Sequence, residues 1–141
     1  MRIILDTNVL ISALIVPGGA PSYLYQCWRK GSFTLIASEE QLDEFRRVTR
    51  YPRLERFLSP AAAGTMVNEV RALAELVGPL PRVEVSADPA DNFLLAMAQA
   101  AKADCLVSGD GKHLLSLGRH GQTRIVTARE AAGGLGYAER R

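Results

Sequence analysis

Four carboxylates in this sequence, Asp6, Glu44, Asp91 and Asp110, stand where they could act together. Asp6 directly follows the apolar run Arg2 to Leu5, Glu44 lies two turns into a helical pattern, Asp91 opens another, and Asp110 sits just past Cys105 to Val107. Carboxylates crowded at low dielectric repel, so such a group either takes up protons or holds cations. All-oxygen ligation selects a hard ion, Mg2+ or Mn2+, over zinc, which prefers imidazole and thiolate. An ion held in this way lowers the pKa of bound water, aims the hydroxide at phosphorus and neutralises the leaving oxygen; that is phosphodiester hydrolysis. No nucleophile elbow, Walker loop, dinucleotide fingerprint or Cys-His pair competes for the chemistry.

The elements that must position these acids alternate between apolar runs and helical patterns, the signature of a parallel sheet wrapped by helices. Five strands are expected: Arg2 to Leu5, Phe33 to Ile36, Val83 to Val85, Cys105 to Val107 and Arg124 to Val126. Helices are expected over Thr7 to Leu14, about Pro21 to Arg29, and from Ser38, where Ser-Glu-Glu-Gln fits a capping box and Leu42, Phe45 and Val48 form the buried stripe. Another starts at Ser59-Pro60, carries Met66, Val70, Leu73 and Val77 at helical spacing, and ends at Gly78-Pro79. The last runs from Asp88-Pro89 through Lys102 with Phe93, Leu94, Met97, Ala98 and Ala101 inward.

In such a sheet every strand-to-helix junction emerges at one carboxyl edge, so the four acids are expected to converge there, while Asp104, which precedes its strand, belongs to the opposite edge. Helical phase separates Glu44 from its acidic neighbours. Measured from the Leu42, Phe45 and Val48 stripe at about 100° per residue, Glu44 falls nearest, ahead of Glu40, Glu39 and Asp43. Asp88 is assigned to the helix cap and Asp91 to the site, although capping and helix-dipole needs alone could account for both. Taken singly, Asp6 could be a capping acid and Asp110 a turn residue; the joint pattern carries the functional reading.

The length of 141 residues and 48% hydrophobic content support one domain over residues 1 to 141. A formal charge of +2 does not mark a dedicated polyanion binder, yet five arginines (Arg46, Arg47, Arg50, Arg53 and Arg56) crowd one short span. They read equally as a solvated helix face or as RNA-backbone contacts. The N-terminal apolar run imitates a secretory signal, but Asp6 and Asn8 interrupt it and it is too short to span a bilayer, so a cytoplasmic chain without a membrane segment is expected. Cys27 and Cys105 are expected to be buried, reduced thiols, and His113 and His120 surface residues.

Three motifs, Leu5-Asp6-Thr7-Asn8-Val9-Leu10-Ile11, Asp88-Pro89-Ala90-Asp91-Asn92 and Leu106-Val107-Ser108-Gly109-Asp110, resemble in order and spacing those of PIN domains, small metal-dependent ribonucleases. The resemblance implies a PIN-like three-layer α/β/α fold with a central parallel sheet of about five strands. It also implies an acidic site of Asp6, Glu44, Asp91 and Asp110, with metal on Asp6, Asp91 and Asp110 and with Asn8 and Ser108 orienting ligands or water. Ser108 stands where the family often has threonine, which keeps the hydroxyl. By overall pattern the chain is similar to VapC-like toxin components of toxin-antitoxin pairs, which implies an RNA substrate, an antitoxin supplied as a separate chain, and a homodimer.

Three other readings compete. An aspartate-nucleophile phosphatase wants a second Asp two positions after the first, where Asn8 stands. A receiver-like module wants an Asp directly after its third strand and a Lys after the fifth strand, and neither is present. A PIN-fold binding protein without catalysis would keep the fold and lose the activity.

Overall fold

The computed structural model describes residues 1–109 and 113–138, so Asp110 lies outside the described residues. In chain order the elements are β1 (Arg2–Leu5), α1 (Thr7–Ile15), α2 (Ala20–Arg29), β2 (Thr34–Ala37), α3 (Glu39–Thr49), a 3-10 turn (Pro52–Leu54), α4 (Pro60–Leu73), β3 (Glu75–Leu76), α5 (Pro89–Ala101), β4 (Cys105–Val107), α6 (Leu114–Leu117), β5 (Arg119–His120), β6 (Thr123–Val126) and α7 (Ala128–Gly133). The strands form one sheet in the order β3-β2-β1-β4-β6-β5, parallel throughout except for β5 against β6.

The central strands are apolar at successive positions because both faces are covered. Side chains alternate across the sheet, so Ile3, Leu5, Leu35 and Val107 pack with α1 to α4 and α7, while Ile4, Ile36, Leu106 and Ile125 pack with α5 and α6. These are the two helical layers of an α/β/α sandwich. Among the described residues no helix is long and apolar enough to cross a membrane.

Two expectations are corrected. Residues Val83 to Val85 form no strand; the third strand is Glu75–Leu76, pairing with Ile36 and Ala37. The reason is that α4 ends earlier than its apolar spacing suggests. Leu73 is left exposed and the chain turns extended at Ala74, which lets Glu75 add to β2 while Val77 packs against the opposite layer. The central parallel sheet of about five strands is present as expected, with a sixth short strand, β5, added antiparallel to β6 as a hairpin. Cys27 is buried and reduced, as expected, but Cys105 is only half-buried because β4 begins at the sheet margin.

Strands β1, β2 and β3 step away in one direction, and β4 returns to the other side of β1. The crevice between the carboxyl ends of β1 and β4 is thus the point where strand order reverses, the place where open α/β sheets bind ligands. Asp6 and Ser108 are the first residues beyond those two strands.

Candidate active site

Asp6 is 8% exposed and its two carboxylate oxygens serve different ends. One accepts from the Asn8 backbone N–H at 3.3 Å, capping α1. The other accepts from Ser108 Oγ at 3.0 Å, a bond that crosses the crevice from β4 to β1. Ser108 is itself buried, and its N–H donates to the Val126 carbonyl at 3.0 Å, so the hydroxyl is aimed by sheet backbone rather than by a flexible loop.

Burial pushes the Asp6 carboxyl up to about 6. The bonds from Asn8 and Ser108 oppose this shift, and the nearby Glu44 and Asp91 carboxylates add to it. Among the described residues no cationic side chain acts on Asp6. A buried carboxylate with two others acting on it is costly to ionise, and a bound cation would relieve that cost.

Glu44 reaches this field from α3, whose start is fixed by Ser38 Oγ accepting the Gln41 N–H at 3.1 Å. Glu44 is half-buried, whereas Asp43, Glu39 and Glu40 are exposed, and Glu39 pairs with Arg71 at 2.9 Å. Asp91 is buried in the first turn of α5 and accepts from Ser86 Oγ at 3.1 Å. Asp88 is the N-cap of that helix, accepting from Ala90 N–H at 2.9 Å, and is exposed. Asp104 sits at the opposite edge, where it accepts from the Arg2 backbone N–H at 2.7 Å.

Two residues were not legible as site components. Gln41 completes no capping box; its side chain turns inward, wholly buried, and Nε2 donates to the Leu5 carbonyl at 2.6 Å. It thereby ties α3, one turn before Glu44, to the backbone immediately before Asp6. Gln41→Leu should leave that carbonyl unpaired at a cost of about 1 to 3 kcal/mol and weaken divalent-ion affinity beyond what the lost stability explains. Parallel denaturant melts and Mn2+ titrations measure both. Asn92 is the other: Oδ1 accepts from Val85 and Ser86 N–H at 3.1 and 2.8 Å, and Nδ2 donates to the Ser86 carbonyl at 2.8 Å. That clamp holds the loop carrying Ser86 against Asp91. A polar residue at helical spacing inside an apolar stripe is the only sequence signal for either.

Among the described residues no three His, Cys, Asp or Glu side chains are close enough together to hold a metal by themselves. The donor chemistry nevertheless fits a small hard cation. Mg2+ keeps several waters and needs only one or two protein carboxylates, and here Asp6 is buried with two further carboxylates acting on it. Among the described residues the buried side-chain polar atom without a partner is Thr7 Oγ1, next in the chain to Asp6. His113 is exposed and the half-buried His120 bonds Gln99, so neither offers an imidazole ligand.

Asn8 is exposed and lines, with Ser108, Gly109 and the first residues of α2 and α7, a cavity of about 480 Å³ that opens beside Asp6. The arginines at positions 46, 47, 50, 53 and 56 all lie exposed, at the far end of α3 and on the turn after it.

A PIN domain family model matches residues 2–112. An uncharacterized protein of Methanocaldococcus jannaschii, MJ1680, is 27% identical over 118 residues, covering 83% of this chain and 75% of that protein. Among solved structures, a chain from the crystal structure of VapBC2 from Rickettsia felis bound to a DNA fragment from their promoter superposes with a TM-score of 0.55. It is 15% identical and covers 89% of this chain and 97% of its own. At that identity the likeness speaks to the fold. With an acid and a hydroxyl facing each other across the reversal of the sheet, and a family model spanning most of its length, this chain belongs to the PIN domain family.

Proposed function

We propose that the chain is a metal-dependent endoribonuclease, residues 1 to 141 acting as one nuclease domain, and the toxin component of a toxin-antitoxin pair in the cytoplasm. The observation that carries the nuclease reading is the placement of buried Asp6 at the crevice where the sheet reverses, with Glu44 and Asp91 in its electrostatic field and no compensating cation among the described residues. Asp6 and Asp91, together with Asp110, would hold Mg2+ or Mn2+. The bound ion would supply a hydroxide near neutral pH and offset charge on the phosphate.

The remaining steps fall to this chain's own side chains. The bonds from Asn8 N–H and Ser108 Oγ fix the Asp6 carboxylate in one orientation, so that its remaining lone pairs face the crevice at no further entropic cost. Ser86 does the same for Asp91. Glu44, half-buried on α3, would accept a proton from an attacking water. The side chain of Asn8, exposed on the cavity wall, can meet a phosphate oxygen. The antitoxin and the homodimer rest on the resemblance to toxin components alone.

Incubating the purified chain with labelled RNA tests the reading directly. Internal cleavage should require Mg2+ or Mn2+ and stop on adding chelator. Phosphate release from small esters would favour the phosphatase instead, and RNA binding without cleavage under every metal tried would leave a PIN-fold binding protein. Glu44→Gln should lower the metal-dependent rate at least tenfold, whereas Asp43→Asn, on the solvent side of α3, should leave it unchanged. Equal losses in the two variants would place Glu44 outside the chemistry.

A further inference from the structure

The crowded arginines form a surface of their own. Arg46, Arg47, Arg50, Arg53 and Arg56 are all exposed, and among the described residues none makes a carboxylate ion pair. Glu39 feels the charge of Arg46, and the exposed Asp43 lies one turn before Arg46 and Arg47, but from Arg46 to Arg56 the five cations face a single acid, Glu55. Two of these cations instead lie over exposed rings, Arg53 at 5.5 Å from the Tyr51 centroid and Arg56 at 6.0 Å from that of Phe57. Tyr51 is 37% exposed and Phe57 60%, large areas for aromatic side chains on a polar turn.

Beside them a groove of about 620 Å³ runs between α3 and α4. Leu58, Ala63 and Val67 are its buried apolar lining, and the exposed Arg46, Arg50 and Glu55 line it as well, two cations to one acid. At Gly64 a side chain would meet nothing, so the groove is open there. Around α3, Arg47 and Arg50 occupy the outer crest, between the flank that carries Glu44 and the flank that borders this groove. A polyanion leaving the acidic site can therefore cross the crest over guanidinium groups and arrive at the groove.

We propose that this surface is a single-stranded RNA platform: bases stack on Tyr51 and Phe57, phosphates lie on the crest arginines, and one base enters the groove beside Arg46. Flat exposed rings interleaved with cations suit strands whose bases are unpaired, since every base has a stacking face and a duplex hides it. The guanidinium fork suits phosphate oxygens, which it can engage through two parallel bonds. The proposal rests on the nuclease reading for the identity of the polyanion, but its test does not need cleavage.

The full chain carrying Asp6→Asn, in chelator, is titrated into a labelled single-stranded RNA and into a duplex of the same sequence, with fluorescence anisotropy as the readout. Single strands should bind more tightly than the duplex. Tyr51→Ala and Phe57→Ala should each weaken single-strand binding about tenfold and leave the duplex unaffected. Arg50→Gln should reduce the salt slope by about 0.7. Phe57 is 60% exposed, so the melting temperature of Phe57→Ala should stay at the parent value, while Tyr51→Ala, at 37% exposure, should lower it slightly without touching duplex binding. Preference for the duplex, or ring variants with unaltered single-strand affinity, overturns the platform. So does a glutamate-rich peptide seated in the groove while RNA binding ignores both rings, which would assign the surface to a protein partner. Ring-dependent binding by a chain that never cleaves would overturn the nuclease reading and leave the platform standing.

Discussion

Replacing Asp6 by asparagine is expected to make the metal-free protein more stable at neutral pH while abolishing metal-dependent cleavage. The carboxyl is raised from 3.8 to about 6 by burial first and by its acidic neighbours after that, so its ionised form is disfavoured in the native state. At roughly 1.4 kcal/mol per pH unit, removing the charge returns up to about 3 kcal/mol. Asparagine caps a helix as well as aspartate does, and its single oxygen can still accept from Asn8 N–H or Ser108 Oγ, so little is lost elsewhere. The metal-free melting temperature should therefore rise by several degrees. Divalent ions should reverse the order. At a hundred times its dissociation constant an ion adds about 2.7 kcal/mol to a chain that binds it, and the variant should gain nothing. Scanning calorimetry of both proteins with and without Mn2+ measures this crossing; a variant less stable than the parent in chelator, or one that keeps the ion-induced shift, would refute the role given to Asp6.

The second large effect is the pH dependence of the same site, and it has opposite signs with and without metal. A carboxyl whose folded pKa lies above its unfolded one binds protons more tightly when native. The stability it contributes is thus greatest below about pH 4 and declines as pH climbs through about 6. In chelator, this group should make the protein progressively less stable from about pH 4 to about pH 6 or a little above. Metal binding requires the ionised carboxylate, so the stabilisation added by Mn2+ should grow across that interval, with cleavage following it. Thermal melts at pH 5, 6, 7 and 8, in chelator and in Mn2+, provide the comparison. A metal increment that is flat over this range would separate the buried carboxyl from metal binding, and in Asp6→Asn both slopes should shrink together.

What could be read from residue order was mainly periodicity. The apolar runs at Arg2 to Leu5 and Cys105 to Val107 became central strands because nothing competes with burial of both their faces. Helical phase distinguished half-buried Glu44 from exposed Asp43, and the Asp-Pro dipeptide located the cap at Asp88. The failures share a cause: tertiary contacts that spacing does not encode. Val77 keeps the helical interval from Val70 and Leu73, but partners in the other layer draw it off, and Arg2 grips Glu75 from across the sheet to seat β3. Val83 to Val85 has strand-forming residues, but the Val85 N–H is taken by Asn92 Oδ1, which holds the segment to α5 instead of a strand. Gln41 fits a local capping role, yet the Leu5 carbonyl, which would otherwise be buried unpaired, is a stronger claimant for its amide.

The brevity of the two outermost strands has its own consequence. Glu75–Leu76 and Arg119–His120 are each two residues long, and the first is bound to Arg2 while the second turns back on its neighbour. Margins so short present almost no run of open backbone donors and acceptors, which blunts sheet-to-sheet aggregation. A companion molecule gains little by adding a strand there and must instead find its purchase on helices and the channels between them.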